Sequence, residues 1–319
     1  MKTIEWGFLI INYLFLGGLS AGLLFVSALA TLIQKNGETD YTRIGRYGAM
    51  LAPWPVMLGC LLLVFDLGHW YRFYKLFLHF RWLSPMSIGS WLLMAFSSVS
   101  VVYFYSWLEA EQRERLFSLL PRRLRFLHSL NRDLTAWRRP LALFGLPLAI
   151  SVGIYTGVLL GAVQSRPFWN TNLVAQMFLF SALSTGCAAL ILGLVWKSKD
   201  LHAGEIRSLY LLDICFLFLE FFIVLPYIIH GQLSVQAVRD SLQLILGGPF
   251  TFVFWVFFLG CGLLLPLAIE LWETVPALLS NATNHYGKQL AALSALLVLG
   301  GGFLLRYVFV FAGQMSSFK

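Results

Sequence analysis

Three charged residues lie inside long apolar stretches of this sequence, where a lipid-spanning helix tolerates few of them. Asp213 and Glu220 fall within the apolar run 206–229, and Arg306 falls within the run 290–312. An ionised side chain at the bilayer centre costs about 2.5–3.5 kcal/mol on insertion scales, so such groups usually mark an ion, proton or ligand site inside a helical bundle. The sequence therefore indicates a membrane protein with an internal polar site.

Two of these charges belong to a possible row across the membrane. Asp213 and Glu220 are seven residues apart, which places them on one helix face, about 10 Å apart along the axis. Glu270 ends another apolar run on the side nearer Asp213, and Arg306 lies toward the opposite side. The row Glu270, Asp213, Glu220, Arg306 is a candidate proton path. The alternative is a buried ion-pair network that fixes packing, for example between Glu220 and Arg306.

A second set of polar residues is predicted to converge on one face of the membrane. They lie near the ends of the first, second and fourth apolar runs: Asn12, Tyr13, Asp66, His69, Arg72 and Tyr155. An apolar pocket with a few convergent polar groups suits a quinone head group. Asp66 and His69 can also exchange the protons that a two-electron, two-proton quinone reaction needs.

This second set also has a purely structural interpretation. Asp66 and Arg72 would then form an interfacial ion pair, and Trp70 and Trp169 would belong to an ordinary aromatic belt. Both interpretations place these residues at the same face of the membrane.

The composition is that of an all-α integral membrane protein. Of the 319 residues, 59% are hydrophobic and only 12% are charged, more apolar surface than a soluble domain of this size can bury. A spanning helix needs about 20 apolar residues, and the runs lack the period-two alternation of a barrel. The predicted spans are 7–34, 49–68, 86–107, 141–163, 174–197, 206–229, 249–270 and 289–312.

The distribution of positive charge predicts the orientation. Eight spans place both termini on one face, denoted side A, and the opposite face is side B. Segments on side A hold 7 of the 23 Lys and Arg residues, segments on side B hold 15, and Arg306 lies inside a span. The positive-inside rule puts side B in the cytoplasm. We therefore expect a multi-pass protein of a bacterial or archaeal inner (cytoplasmic) membrane, with both termini periplasmic.

Two segments could be mistaken for something else. The first run is longer than a signal-peptide core of about 7–15 residues, so we expect it to remain as a span. The segment 109–140 mixes arginines with apolar residues and is predicted to lie along the cytoplasmic interface as an amphipathic segment in contact with lipid. A solvated positive-inside loop is the simpler alternative. The net charge of +8 follows from this topology and does not indicate nucleic-acid binding.

The sequence predicts no bound metal cofactor. All six histidines lie in loops or at helix ends, whereas a haem in a helical bundle needs axial ligands well inside facing helices. The four cysteines are too far apart for iron–sulfur spacing and are expected to be packing residues. We therefore expect neither haem, nor an iron–sulfur cluster, nor any other metal in this chain.

One short motif occurs twice. Residues 19–22 (LSAG) in the first span resemble residues 183–186 (LSTG) in the fifth. Both spans start from side A, which is compatible with a parallel four-plus-four repeat. Small residues at this spacing also arise independently wherever helices pack closely.

Motifs along nearly the whole chain resemble the NrfD-like, or polysulfide reductase membrane-subunit, family. The matching segments are 13–22 (YLFLGGLSAG), 66–69 (DLGH), 84–91 (SPMSIGSW), 155–157 (YTG), 166–171 (RPFWNT), 181–186 (SALSTG), 301–308 (GGFLLRYV) and 312–314 (AGQ). Each segment alone is a weak signal, but their order along the chain is specific.

The resemblance implies a fold, a ligand and partners. The fold would be eight transmembrane helices in two four-helix bundles, residues 1–163 and 164–319. The ligand would be menaquinone or another quinone near the periplasmic face, with no haem in this subunit. The partners would be a ferredoxin-like [4Fe–4S] subunit on the periplasmic side and a catalytic molybdopterin or multihaem cytochrome subunit.

The resemblance also carries over individual residues. The family's quinone pocket falls on Tyr13, Asp66, His69 and Tyr155, although many members have arginine where this chain has His69. Trp70, Arg166 and Trp169 lie beside this pocket and are expected to contact the partner.

Two other functions compete with this interpretation. A secondary transporter would also use a repeat and midplane charges, but it would show matching central Gly or Pro interruptions in two spans. A passive docking anchor would leave Asp213 and Glu220 without a role.

Overall fold

The computed structural model describes residues 6–34, 39–66, 81, 83–118, 132–197, 203–280 and 286–316. These residues form helices and no strands, and eight of the helical segments are long and apolar enough to cross a membrane. In chain order, the first to eighth spans are Phe8–Ile33, Asp40–Asp66, Pro85–Ser106, Thr135–Gly161, Leu173–Lys197, Ala203–Leu233, Val253–Pro276 and Lys288–Met315. Each overlaps a predicted span, so the all-α membrane fold is confirmed.

Proline determines several boundaries because it lacks a backbone N–H and fixes its own φ angle. The second span consists of two helices, Thr39–Leu51 and Pro53–Asp66, which meet at Ala52. The third span begins with Pro85 as its first residue, and the Ser84 hydroxyl before it accepts a hydrogen bond from the Ser87 N–H. This is the usual start of a helix, with Pro in the first turn and Ser at the cap.

Short helices lie between the spans. Ala110–Ser118 is a helix within the predicted amphipathic segment 109–140, and a short 3₁₀ turn, Thr135–Trp137, forms the first residues of the fourth span. Residues 119–131 of that segment are outside the described residues. On side A, Gln236–Leu246 joins the sixth and seventh spans.

The seventh span begins with a π-helix, which the sequence analysis did not predict. Residues Val253–Leu264 form it, and at its end the Leu265 N–H bonds the carbonyl of Gly260, five residues earlier. The α-helix Leu265–Ser280 follows directly. Because π-helices are rare and usually limited to one turn, a segment of this length is unusual.

The two copies of the repeated motif are in contact. The first span crosses the fifth where Gly22 meets Gly186, and a side-chain carbon on either glycine would collide with the backbone of the other helix. Gly262 and Gly301 make a similar close approach between the seventh and eighth spans. Close packing of small residues is the main way in which helices associate without a hydrophobic driving force in lipid.

The first and fifth spans lie at the centre of the molecule. The first span packs against the second, fourth and fifth, and the fifth packs against the fourth, sixth and eighth. The third span contacts mainly the fourth, and the seventh contacts mainly the eighth. The two halves are joined mainly where the first and fourth spans pack on the fifth, and each half makes more contacts within itself than with the other. The division into two four-helix bundles at residue 163 stays a prediction.

The glycine crossing leads to a stability prediction. Gly186→Ala would force the first and fifth spans apart, because the added carbon would meet backbone atoms that cannot move aside. We expect a loss of at least about 1–3 kcal/mol, the usual cost of overpacking a core. Thermal unfolding in detergent measures it.

Gly300→Ala is the matched control, since a side-chain carbon at Gly300 would have no neighbour within 4 Å. Equal thermal unfolding midpoints for Gly186→Ala and Gly300→Ala would contradict the close approach of the first and fifth spans.

Candidate functional site

The charged residues of the apolar runs come together in the second half of the molecule. The side chains of Asp213, Glu220, Glu270 and Arg306 are all buried, and those of Asp213, Glu270 and Arg306 are 0% exposed. They come from the sixth, seventh and eighth spans. The four side chains lie close to one another, and their role as a proton path stays a prediction.

Two carboxyl groups lie side by side at one end of this row. The Asp213 carboxyl is beside that of Glu270 and beside the Ser184 hydroxyl. Glu270 accepts a hydrogen bond of 2.7 Å from the Ser294 hydroxyl. Among the described residues, no hydrogen bond reaches either oxygen of Asp213 or Glu270 Oε2. Two adjacent carboxylates without a cation are unfavourable in a low-dielectric interior, so a shared proton would stabilise this arrangement.

Arg306 occupies the other end of the row. Its Nη1 donates to the Gly302 carbonyl at 2.6 Å and to the Ser181 hydroxyl at 3.0 Å. The guanidinium lies over the rings of Phe15 and Phe178, with its carbon 5.8 and 5.3 Å from their centroids. Arginine is suited to this position because its flat, weakly hydrated cation packs well on aromatic faces.

Glu220 lies between Arg306 and the carboxyl pair. Its carboxyl interacts with the Arg306 charge and with the Ser181 hydroxyl, and more distantly with Asp213. Among the ion pairs of the described residues, none joins Glu220 directly to Arg306. Ser181, which contacts both, therefore links the two charges.

The sequence analysis missed the serines that line this row. Ser181 and Ser184 are three residues apart on the fifth span, and Cys187, three residues further, lies beside Asp213 and Glu270. Ser294 of the eighth span completes the set. The three-residue spacing along one helix face was the available signal, but the sequence also allowed a packing role for these small residues.

A pair of tyrosines forms the polar centre of the first half. Tyr13 of the first span and Tyr155 of the fourth are buried, and their hydroxyl groups face each other. The Tyr155 ring fills the space beside Gly89 of the third span, where any side chain would collide with it. Cys60 of the second span lies beside Tyr13. The four spans of the first half thus all border this pair.

The tyrosine pair lies close to side A. Tyr13 is five residues from the start of the first span, and Tyr155 is six residues from the end of the fourth. At 1.5 Å per residue both are about 8–9 Å below the helix ends. The Tyr13 hydroxyl has no hydrogen-bond partner by distance and angle among the described residues. A buried phenol so close to the membrane face is suited to donate to a ligand carbonyl.

The other described residues predicted to bind quinone are not seen in contact with the tyrosine pair. Asp66 ends the helix Pro53–Asp66 and is exposed. The Asn12 amide donates to the Phe8 carbonyl at 2.8 Å, one turn earlier in its own helix, so it is not directed to the tyrosine pair. His69, Trp70 and Arg72 lie outside the described residues.

Arg166 and Trp169, expected at the partner surface, are held by contacts within the protein. Arg166 Nη1 donates to the carbonyls of Gln314 and Ser316 at 2.5 and 2.6 Å. The Trp169 indole N–H donates to the Phe309 carbonyl at 2.7 Å, and its ring stacks on Trp6 at 5.2 Å. Trp169 is only 2% exposed. Partner docking through these residues stays a prediction, and the Trp169 side chain is not at the surface.

The chemistry of the tyrosine pair is suited to a quinone rather than to a metal ion. Among the described residues, no group of three or more His, Cys, Asp and Glu side chains is placed to hold a metal ion. The unpartnered Tyr13 hydroxyl and the neighbouring Tyr155 hydroxyl are donors of the kind that quinone carbonyls accept.

Comparison with known proteins identifies the family. A family model described as "Polysulphide reductase, NrfD" matches residues 1–317. The chain belongs to the NrfD family. It is 32% identical to Protein NrfD of Escherichia coli strain K12 over 318 residues, which cover 99% of this chain and 96% of that protein.

Other relatives match over similar lengths. The C subunit of polysulfide reductase from Wolinella succinogenes is 30% identical over 98% of this sequence and 95% of its own. The Hdr-like menaquinol oxidoreductase integral membrane subunit of Archaeoglobus fulgidus is 25% identical over 98% of this sequence and 72% of its own. The resemblance to the NrfD-like family is thereby confirmed.

The environment of Arg306 leads to a second stability prediction. Arg306→Gln would leave the buried Glu220 carboxyl without the positive charge with which it interacts. Removing one partner of a direct buried pair typically costs about 3–5 kcal/mol, and we expect a loss up to this size here. We expect the double variant Arg306→Gln/Glu220→Gln to regain part of this loss. Thermal unfolding of both variants in detergent measures the difference.

The control is Arg139→Gln, an exposed arginine at the start of the fourth span, which we expect to change stability by no more than about 0.5 kcal/mol. A double variant as unstable as Arg306→Gln alone would show that Arg306 and Glu220 do not compensate each other.

Proposed function

We propose that this protein is the quinone- or quinol-binding membrane subunit of a multi-subunit respiratory oxidoreductase. The observation that carries the proposal is the buried Tyr13–Tyr155 pair near side A, with one hydroxyl unpartnered among the described residues. The names of two relatives, a polysulfide reductase subunit and a menaquinol oxidoreductase integral membrane subunit, support the same class of reaction. Menaquinone or a similar quinone is the proposed substrate.

The proposed chemistry uses the protein's own residues for hydrogen bonds and protons. The phenols of Tyr13 and Tyr155 would donate to a quinone carbonyl and stabilise the negative charge that develops on it during reduction. Asp66, exposed at the end of its helix, would exchange protons with water on side A. His69 and Arg72 are proposed to complete the site from the segment that follows Asp66.

The electrons are proposed to pass to or from a partner on side A. This partner would be a ferredoxin-like [4Fe–4S] subunit, connected to a catalytic molybdopterin or multihaem cytochrome subunit. Side A is proposed to be periplasmic, because side B carries 15 of the 23 positive residues. The protein would thus reside in the inner membrane, with its termini in the periplasm.

The charged row is proposed to couple this reaction to proton movement. From side A towards side B the row runs through Arg306, Ser181, Glu220 and the Asp213–Glu270 pair, with the Ser184 hydroxyl beside Asp213 and the Ser294 hydroxyl bonded to Glu270. Carboxyl and hydroxyl groups that can both accept and donate protons, protected from lipid, are what a proton path requires, and Arg306 adds a fixed positive charge at the side-A end. Arg306 also contacts Gly18 of the first span, which carries Tyr13.

A secondary transporter is the second candidate, and the π-helix at the start of the seventh span is the observation that favours it. Transporter sites use interrupted helices in corresponding positions of both halves. Among the described residues, the corresponding third span is a regular helix over Pro85–Ser106. Ion flux in liposomes that contain this protein without any partner would favour the transporter.

The quinone site can be tested at the tyrosines. Tyr155→Phe and Tyr13→Phe would each remove one hydroxyl and keep the packing, and we expect quinol-dependent reduction of the partner to fall about two- to tenfold, the equivalent of one hydrogen bond. Asp66→Ala and His69→Ala should abolish it while the complex still assembles. Steady-state turnover with a soluble menaquinol analogue measures these effects.

Tyr103→Phe is the matched control, since Tyr103 is equally buried but lies near side B, where its hydroxyl is 2.6 Å from that of Thr31. Unchanged turnover in both Tyr13→Phe and Tyr155→Phe would contradict the proposed site.

The proton path can be tested at its midpoint. Glu220→Gln preserves size and hydrogen bonding but cannot carry a proton as a carboxyl does, so we expect fewer protons moved per electron with turnover maintained. The measurement is the proton-to-electron ratio of the whole complex in liposomes. Glu114→Gln changes an exposed glutamate on side B and should leave the ratio unchanged. An unchanged ratio in Glu220→Gln would contradict the proposed path.

A further inference from the structure

Spans six and seven are linked by two layers of polar contacts, one helical turn apart. The layer nearer the membrane centre is the carboxyl pair Asp213–Glu270. Three residues toward side B on each helix, Tyr210 and Glu273 form the second layer, in which the Tyr210 hydroxyl donates to Glu273 Oε2 at 2.9 Å. Because residues three apart lie on the same side of a helix, the second layer continues the row toward side B.

Glu273 differs from the carboxyl groups of the row in its exposure. Glu270 is 0% exposed, whereas Glu273 is only partly buried and lies one helical turn nearer the side-B end of the seventh span. Its Oε1 accepts a hydrogen bond of 3.1 Å from the Gly287 N–H at the start of the eighth span. Its two oxygens are thus held by the sixth and eighth spans, at the place where the side-B ends of the three helices meet.

Two buried hydroxyl groups next to this layer lack partners by distance and angle. Among the described residues, these are Thr274 Oγ1 and the Tyr286 hydroxyl, which are near each other. The Tyr286 ring packs edge-on against Tyr210, with centroids 5.6 Å apart. Buried hydroxyls are normally satisfied by protein or by ordered water, so this pair is suited to hold water between Glu273 and the interior.

We propose that Glu273, held by Tyr210 and the Gly287 amide, is the group through which the Asp213–Glu270 pair exchanges protons with water on side B. The proposal rests on the proton coupling proposed above and adds its aqueous entrance. The Glu273 carboxylate takes a proton from water and passes it inward to Glu270, after which Glu273 is ionised again. No electron transfer is involved, and the same steps run in reverse for release.

Charged and titratable neighbours fit this role. Glu270 lies on the inner side of Glu273, and the Tyr286 hydroxyl interacts with the Arg207 cation of the sixth span. Tyr210 interacts with both glutamates. A tyrosine between two carboxyl groups can donate to either one, so it can direct a proton from the outer carboxyl to the inner one.

The test uses the whole complex in liposomes, with proton uptake from side B measured against electron transfer. Glu273→Gln should slow proton uptake at least about tenfold, since a positioned acid–base group typically contributes about 10²–10⁴-fold. Tyr210→Phe keeps the ring packed on Tyr286 and should have a smaller effect in the same direction. Glu114→Gln, exposed on the same side of the membrane, is the matched control and should have no effect.

Rescue by a small weak acid separates an entrance role from a structural one. Added acetate can carry protons to a solvent-accessible position, so it should restore uptake in Glu273→Gln but not in Asp213→Asn, whose carboxyl is fully buried. Slowed uptake in Glu273→Gln that acetate does not restore would assign Glu273 a structural role and overturn the proposal.

The remaining outcomes distinguish this inference from the proposed function. Normal uptake in Glu273→Gln together with a reduced ratio in Glu220→Gln would overturn the entrance and leave the path in place. Normal behaviour of both variants would overturn the path and the entrance together.

Discussion

The burial of charge away from water is the constraint on which the rest of this structure depends. Inside a bilayer each backbone polar group must be satisfied within the protein, and charged side chains are kept away from lipid among other polar groups. The fifth span meets this requirement by facing the charges of the sixth and eighth spans with small hydroxyl side chains, Ser181 and Ser184. The same span approaches the first span closely at Gly186. Its sequence of small residues therefore serves close packing and polar contact together.

The first span connects the two polar centres of the molecule. Tyr13 is on it, facing Tyr155, and Gly18, five residues further, contacts the Arg306 guanidinium. A side-chain carbon at Gly18 would crowd this guanidinium, which would have to shift to make room. A shift of the first span upon ligand binding near Tyr13 would therefore also change the environment of Arg306. This contact joins the span that carries Tyr13 directly to the charged row.

Family membership and geometry contribute different parts of the functional argument. The family match covers residues 1–317, so it establishes what kind of membrane subunit this is over nearly its whole length. It does not identify which side chains act, because fold-level similarity does not assign sites. The tyrosine pair and the two polar layers between spans six and seven supply that assignment as proposals. Trp169 was expected at a partner surface, but its ring stacks on Trp6 and is buried within the protein.

The sequence by itself determined the fold class, the eight spans and the shared face of Asp213 and Glu220, because apolar run length and helical periodicity are local properties. It also pointed to Tyr13 and Tyr155, although their separation of more than one hundred residues concealed their contact. Only the tertiary structure decided that Ser181 links Arg306 to Glu220 and that the seventh span begins as a π-helix. Those features depend on which helix faces meet, and contacts between helices distant in sequence leave no periodic signal in either one.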